Sequence, residues 1–150
     1  MLLKEICTPE VICCTPGTSV LAAARLMREQ HVGDLVVVND PDGDQSPLGM
    51  VTDRDLVVEV LARERNPASV TVREIMRQPV VIAGGDEEAG KAAERMRRHG
   101  VRRVPVMGND RKLAGIISLD DLLVQLATDA NRLVEVVAQE QGREHRTRGR

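Results

Sequence analysis

The chain is written twice, and that constrains its fold more than any single motif. Residues 5–38, moved along by 69 positions, fall on 74–107 without a gap. Glu5-Ile6 lands on Glu74-Ile75, Val11 on Val80, Ala23-Ala24 on Ala92-Ala93, Met27-Arg28 on Met96-Arg97 and Val32 on Val101. With one loop shortened by three residues the correspondence resumes, and Gly49-Met50-Val51-Thr52-Asp53-Arg54-Asp55-Leu56 lies on Gly115-Ile116-Ile117-Ser118-Leu119-Asp120-Asp121-Leu122. A long unit present only twice is no solenoid, because solenoids need several short units to bury a core. It predicts two similar halves packed face to face about a pseudo-two-fold axis. A cleft between related halves is a natural ligand site.

The 150 residues suffice for one compact domain or two small halves sharing a core. No Phe, Trp or Tyr is present, so the core must be built from Val, Leu, Ile, Ala and Met. The chain therefore has no aromatic platform on which to stack the bases of a single strand. A net charge of −2 and a pI near 5.9 argue further against a nucleic-acid surface. Met1-Leu2-Leu3-Lys4-Glu5 is not followed by the apolar run of a signal peptide, and no segment approaches the roughly 20 apolar residues of a membrane span. Cytoplasmic location is the expectation. Cys7, Cys13 and Cys14 are too few and too clustered for a disulfide framework, and no His stands at ligand spacing from them, so no metal site is expected. Buried thiols are the simpler reading of these cysteines, with a redox role for adjacent Cys13-Cys14 as the alternative.

Each half reads as strand, helix, strand, strand, helix. In the first half the strands are Val11-Ile12-Cys13-Cys14, Leu35-Val36-Val37-Val38 and Leu48-Gly49-Met50-Val51. A helix capped by Thr18 or Ser19 presents Val20, Ala23, Ala24 and Met27 on one face, and a second runs from Asp53 to Arg63. Asn66-Pro67-Ala68-Ser69 links the halves. The second half predicts strands at Val80-Val81-Ile82, Val104-Pro105-Val106-Met107 and Leu113–Ile117, with a helix over 87–98. A last helix starts near Leu119 and runs, with a bend, to about Gln139. Its Leu122, Leu126, Leu133, Val134 and Val137 exceed what the repeat needs, so this surface covers the first half or meets a second subunit. The expected boundaries are 1–65, a 66–70 linker, 71–128, a helical extension over 129–140 and a disordered basic tail over 141–150.

Thr52-x-x-Asp55 and Ser118-x-x-Asp121 occupy the same place in the two halves, each after an apolar strand and at the start of a helix. A hydroxyl at the N-cap and a carboxylate three residues on form a capping box, which alone accounts for either copy. The same geometry also suits a ligand: free backbone N–H groups attract an anion, and the carboxylate can accept two hydrogen bonds from a ribose diol. Gly49 and Gly115 remove a side chain where a ligand could approach the backbone. From the residues alone both readings stay open. Asp53 and Asp55, or Asp120 and Asp121, diverge around a helix start rather than converge, and His31, His99 and His145 have no evident partner, so no enzyme is expected.

The paired Gly-h-h-Thr/Ser-x-x-Asp segments at 49–55 and 115–121 (h is apolar), the Gly100-Val101-Arg102-Arg103-Val104-Pro105-Val106 stretch and the Glu-Ile starts of both halves resemble a tandem pair of CBS domains, a Bateman module, over about residues 1–128. The resemblance implies a mixed α/β (α+β) fold of two βαββα repeats. It implies a stand-alone regulatory protein without catalysis or a catalytic cofactor, a homodimer that signals to an unknown protein effector. The implied ligand is an adenosine compound: AMP, ADP or ATP first, with S-adenosylmethionine or NAD as other choices. Asp55 and Asp121 would hold ribose, and Thr52 and Ser118 ribose or phosphate. The Asp121 site would draw on Val11-Ile12-Cys13-Cys14 together with Gly115 and Ile116, and the Asp55 site on Val80-Val81-Ile82-Ala83. Arg102 and Arg103, where repeat one has Gly33-Asp34, would meet phosphates, so the Asp121 site is expected to prefer phosphorylated adenosine. Asp34 would oppose phosphate in the Asp55 site, with Arg54 as a compensating charge. The alternative is a ligand-free oligomeric scaffold or a DNA-associated regulator.

Overall fold

The computed structural model describes residues 1–148, with side chains through Arg146. The first half contains α1 (Leu3–Ile6), β1 (Cys13–Cys14), α2 (Val20–Gln30), β2 (Asp34–Val38), β3 (Pro47–Thr52) and α3 (Asp53–Leu56), which continues as a π-helical turn over Val57–Leu61. The second half contains α4 (Val72–Ile75), β4 (Ala83–Gly84), α5 (Ala89–His99), β5 (Arg103–Met107), β6 (Leu113–Ser118) and α6 (Leu119–Arg148). Each half thus follows the expected βαββα order, preceded by a one-turn helix. Two three-stranded sheets result, β1-β2-β3 and β4-β5-β6, each with a parallel first pair and an antiparallel second. Even the irregularities repeat, with register shifts at Val37/Val38 and at Val106/Met107.

Leu35 to Val38 are all buried because both faces of their strand are covered. Leu35, Val37 and Val51 meet Val20, Ala23 and Met27 of α2 in the first core. Val36, Val38 and Met50 point the other way and gather Val80, Leu113 and Ile116 of the second half into an inter-repeat core. The remaining core joins Ala92 and Met96 of α5 to Val104, Val106 and Ile117.

The two halves exchange their opening segments. Leu3, fully buried, belongs to the second core. Leu3 N donates to Glu87 O at 2.9 Å, Lys4 N donates to Gly85 O at 3.0 Å, and Thr8 pairs with Ile116 through two bonds of 2.9 Å. Conversely Val72 and Ile75 complete the first core, Val72 N donates to Thr18 O at 2.8 Å, and Arg77 pairs with Met50 at 2.8 and 3.3 Å. The repeated glutamate caps these short helices: Glu5 accepts from Leu2 N at 2.8 Å and Glu74 from Thr71 N at 2.7 Å.

Several boundaries differ from expectation for identifiable reasons. Val11-Ile12 and Val80-Val81-Ile82 lie outside the ladders, and their apolar side chains serve the core margins and clefts instead. The closing helix of the first half departs from α-geometry at the β-branched run Val57, Val58, Val60, with Ala62 N bonded to Val57 O at 2.8 Å. The last helix neither stops at Gln139 nor leaves a disordered tail from 141, but continues to Arg148. Adding a good helix former to an existing helix costs little, and Glu, Gln and Arg dominate residues 139–148. Positions 149–150 of the expected tail lie outside the described residues.

Candidate functional site: two unequal clefts

The capping boxes form as expected at both helix starts, and their spare capacity differs. At β6–α6, Asp121 Oδ2 accepts from Ser118 N at 2.8 Å and from Ser118 Oγ at 2.6 Å, while Ser118 Oγ accepts from Asp121 N at 3.1 Å. Asp121 Oδ1 has no hydrogen-bond partner among the described residues. The Ser118 hydroxyl is committed to orienting the carboxylate.

Asp121 and Ser118 open into a cleft of about 240 Å³ between the repeats. Val11 and Ile12 from the segment before β1, and Ile116 from β6, give it aliphatic walls. Arg103 at the start of β5 and Asp34 at the start of β2 face each other across it, with Arg103 Nε 3.0 Å from Asp34 Oδ1. Burial pushes the Asp34 carboxyl above its ordinary range, against the pull of Arg103. Glu10 and His31 also line the cleft, and no spacing in the sequence signals either. His31 is there because it ends α2 in the left-handed conformation (φ 55°), the place Gly100 takes after α5 (φ 63°). The charge balance therefore differs from the expected one. Arg102 does not line the cleft and pairs with Asp120 at 3.3 Å. Asp34 sits in the Asp121 cleft, not in the Asp55 site.

At β3–α3 the carboxylate is spoken for. Asp55 is buried, at 6% exposure. Its Oδ2 accepts from Thr52 N at 2.9 Å, and Thr52 Oγ1 accepts from Asp55 N at 3.2 Å. Its Oδ1 accepts a hydrogen bond from Arg77 Nε at 3.1 Å, and Arg77 Nη2 completes the ion pair at 3.1 Å. Arg77 stands where the repeat places Thr8 in the other half. A second cleft, of about 370 Å³, is lined by Val80, Val81 and Ile82 together with Arg77, Arg95 and His99. Arg77 lines it; Asp55 lies behind. Arg95 is held by Glu87 through contacts of 2.9 and 3.0 Å.

Two of the expected site residues serve packing. Cys13 lies against the inter-repeat core and does not line the Asp121 cleft. Gly115 is buried beneath the exchanged opening segment: a Cβ there would lie 2.6 Å from Cys7 Sγ and 2.8 Å from Thr8 O. Gly49 is covered likewise, its Cβ position 2.9 Å from Arg77 O. Both glycines admit a chain segment rather than a ligand. Among the described residues no group of three or more His, Cys, Asp or Glu is placed to hold a metal ion.

Comparison with known proteins agrees with this architecture. The CBS domain family model matches twice, at residues 3–62 and 72–128. An uncharacterised protein of Methanopyrus kandleri is 37% identical over 119 residues, 79% of this chain and 59% of that protein, so the chain spans under two thirds of that relative. Among solved structures, a hexameric CBS-CP12 protein from bloom-forming cyanobacteria superposes with a TM-score of 0.75 at 27% identity, covering 99% of this chain and 90% of that one. A CBS domain pair crystallised with 5-methylthioadenosine and S-adenosyl-L-methionine superposes with a TM-score of 0.73 at 26% identity, covering 86% and 98%. Two matched repeats, two matching sheets and a cleft between them make this chain a member of the CBS-domain family, built as a tandem pair.

Proposed function

We propose that this chain is a regulatory module, without catalysis of its own, that binds an adenosine-containing small molecule in the Asp121 cleft and reports occupancy to a protein partner or a second copy of itself. The observation that carries this reading is the unpartnered Oδ1 of Asp121, held by Ser118 at the mouth of a cleft with aliphatic walls. That oxygen can accept both hydroxyls of a ribose diol. Val11, Ile12 and Ile116 offer apolar surface to an adenine ring. Three carboxylates, Glu10, Asp34 and Asp121, outweigh Arg103, which is already paired with Asp34. This balance disfavours a polyanion and suits an uncharged or cationic adenosine compound, such as a thioether or sulfonium nucleoside. The bound compounds of the related CBS pair, 5-methylthioadenosine and S-adenosylmethionine, are of this kind.

The test is a thermal-shift titration with adenosine, 5-methylthioadenosine, S-adenosylmethionine, NAD, AMP, ADP and ATP, with GTP as control. A ligand at 100-fold over its Kd adds about 2.7 kcal/mol of stability if it binds only the folded state. For a chain of this size that is a rise of about 5–10 °C. A shift with the unphosphorylated compounds that disappears in Asp121→Ala supports the reading. No shift with any of them, on folded protein free of co-purified nucleotide, overturns it and leaves a scaffold.

A further inference from the structure

We infer that Arg77 makes the Asp55 cleft a conditional site, open to a phosphorylated ribonucleoside and closed to an unphosphorylated one; this rests on the reading that these carboxylates receive ribose diols. The repeat supplies its own control. In one half the carboxylate offers a whole oxygen, and position 8 is threonine. In the other the equivalent position, 77, is arginine, and its guanidinium occupies the corresponding oxygen through two contacts of 3.1 Å. The chain's own side chain sits where a diol would bind.

That contact is built to be released by one kind of ligand. The Arg77 backbone is fixed by its pair of hydrogen bonds to Met50, so the side chain can turn without moving the chain. The side chain is 59% exposed, against 8% for Asp55, so the guanidinium has solvent to turn into while the carboxylate does not. A ribose diol alone is neutral. To reach Asp55 it must displace a charge-assisted bond to a buried carboxylate, and it offers the guanidinium nothing in return. A phosphate supplies the missing partner, because a guanidinium fork matches its oxygens. The walls agree: no carboxylate lines this cleft, and Arg95 and His99 stand at its edge. A molecule carrying both groups draws Arg77 onto its phosphate and presents its diol to the freed Asp55 oxygen. Arg77 is thus the specificity-determining residue of this cleft, and the two clefts sort adenosine compounds by charge.

The experiment is calorimetric titration of full-length Asp121→Ala, in which only the second cleft remains, with AMP and with adenosine. AMP should bind at least 10-fold more tightly than adenosine. Adding Arg77→Thr, which copies the other repeat, should raise adenosine affinity at least 10-fold and lower that of AMP. Unmutated protein provides a measurement independent of either variant's folding: adenosine should stop at one equivalent per chain, and AMP added to adenosine-saturated protein should fill a second. Equal affinities on Asp121→Ala, no AMP binding to it, or an adenosine affinity unmoved by Arg77→Thr would each overturn the inference while leaving the Asp121 cleft intact. Absence of any binding to unmutated protein would overturn both.

Discussion

Asp34 carries a charge in a place that resists it. Its side chain is only 10% exposed, and burial outweighs Arg103 in setting its ionisation, while Asp53 adds repulsion. The folded-state pKa is therefore above the unfolded value near 3.8. A carboxyl raised in this way favours folding while it holds its proton. That contribution is full below pH 3.8 and is lost as pH rises through the raised folded value. Asp34→Asn should remove this loss: urea midpoints of the two proteins should converge at low pH, and the variant should gain on the parent above it. A parent that gains stability over the variant through that window would refute the assignment. The cysteines illustrate the same physics. Burial pushes the Cys14 thiol up to about 12 and raises Cys13 as well, which leaves both protonated at neutral pH and poor as redox nucleophiles. They are successive residues of one strand and face opposite sides, which the bare pair Cys13-Cys14 does not disclose. Side-chain partners were the least legible part of the site. Arg102-Arg103 reads as a phosphate patch until Asp120 and Asp34 are seen to pair with it.

The central and closing strands of each half, α2 and α5, and the capping boxes were legible because each leaves a local mark: an apolar run, a 3.6-residue period, a hydroxyl three residues before a carboxylate; the short opening strands were not, and the Val80-Val81-Ile82 run stops just before β4. The exchange of opening segments leaves none, since a linear repeat does not say which half a segment joins. Gly49 and Gly115 were visible but open to misreading for that reason. The close approach they permit is of Arg77 and of Cys7-Thr8. Gly115→Ala should force the α1 segment off β6 and cost about 1–3 kcal/mol, as overpacking does in a tight core. Urea denaturation measures it, and a variant as stable as the parent would refute the contact. The loss should appear without any ligand, which separates packing from binding.

From the end of the second repeat the molecule projects α6, 30 residues and about 45 Å long. Leu123, Val124, Leu126, Leu133, Val134, Val136 and Val137 on it are all more than half exposed, as are Val57 and Leu61 on the closing turn of the first half. Apolar surface on this scale is unusual for a solitary chain, and we propose that a second copy covers it. Leu126→Glu should convert the dimer to monomer in light scattering after size exclusion, with the clefts still able to bind; a parent chain already monomeric at micromolar concentration would refute the proposal. The unevenness of the clefts also belongs to this scale, because the Asp121 cleft gathers Glu10, His31 and Asp34 from the opposite repeat. The crossing of the opening segments also sets an order of assembly. Leu3 is translated before every element of the second half, yet its neighbours Val104, Val106 and Ile117 are made more than a hundred residues later. The first half meanwhile stays unfinished until Val72 and Ile75 arrive. The α1 segment therefore waits for the second repeat to be translated before it is seated, while the first repeat waits only for the opening turn of the second.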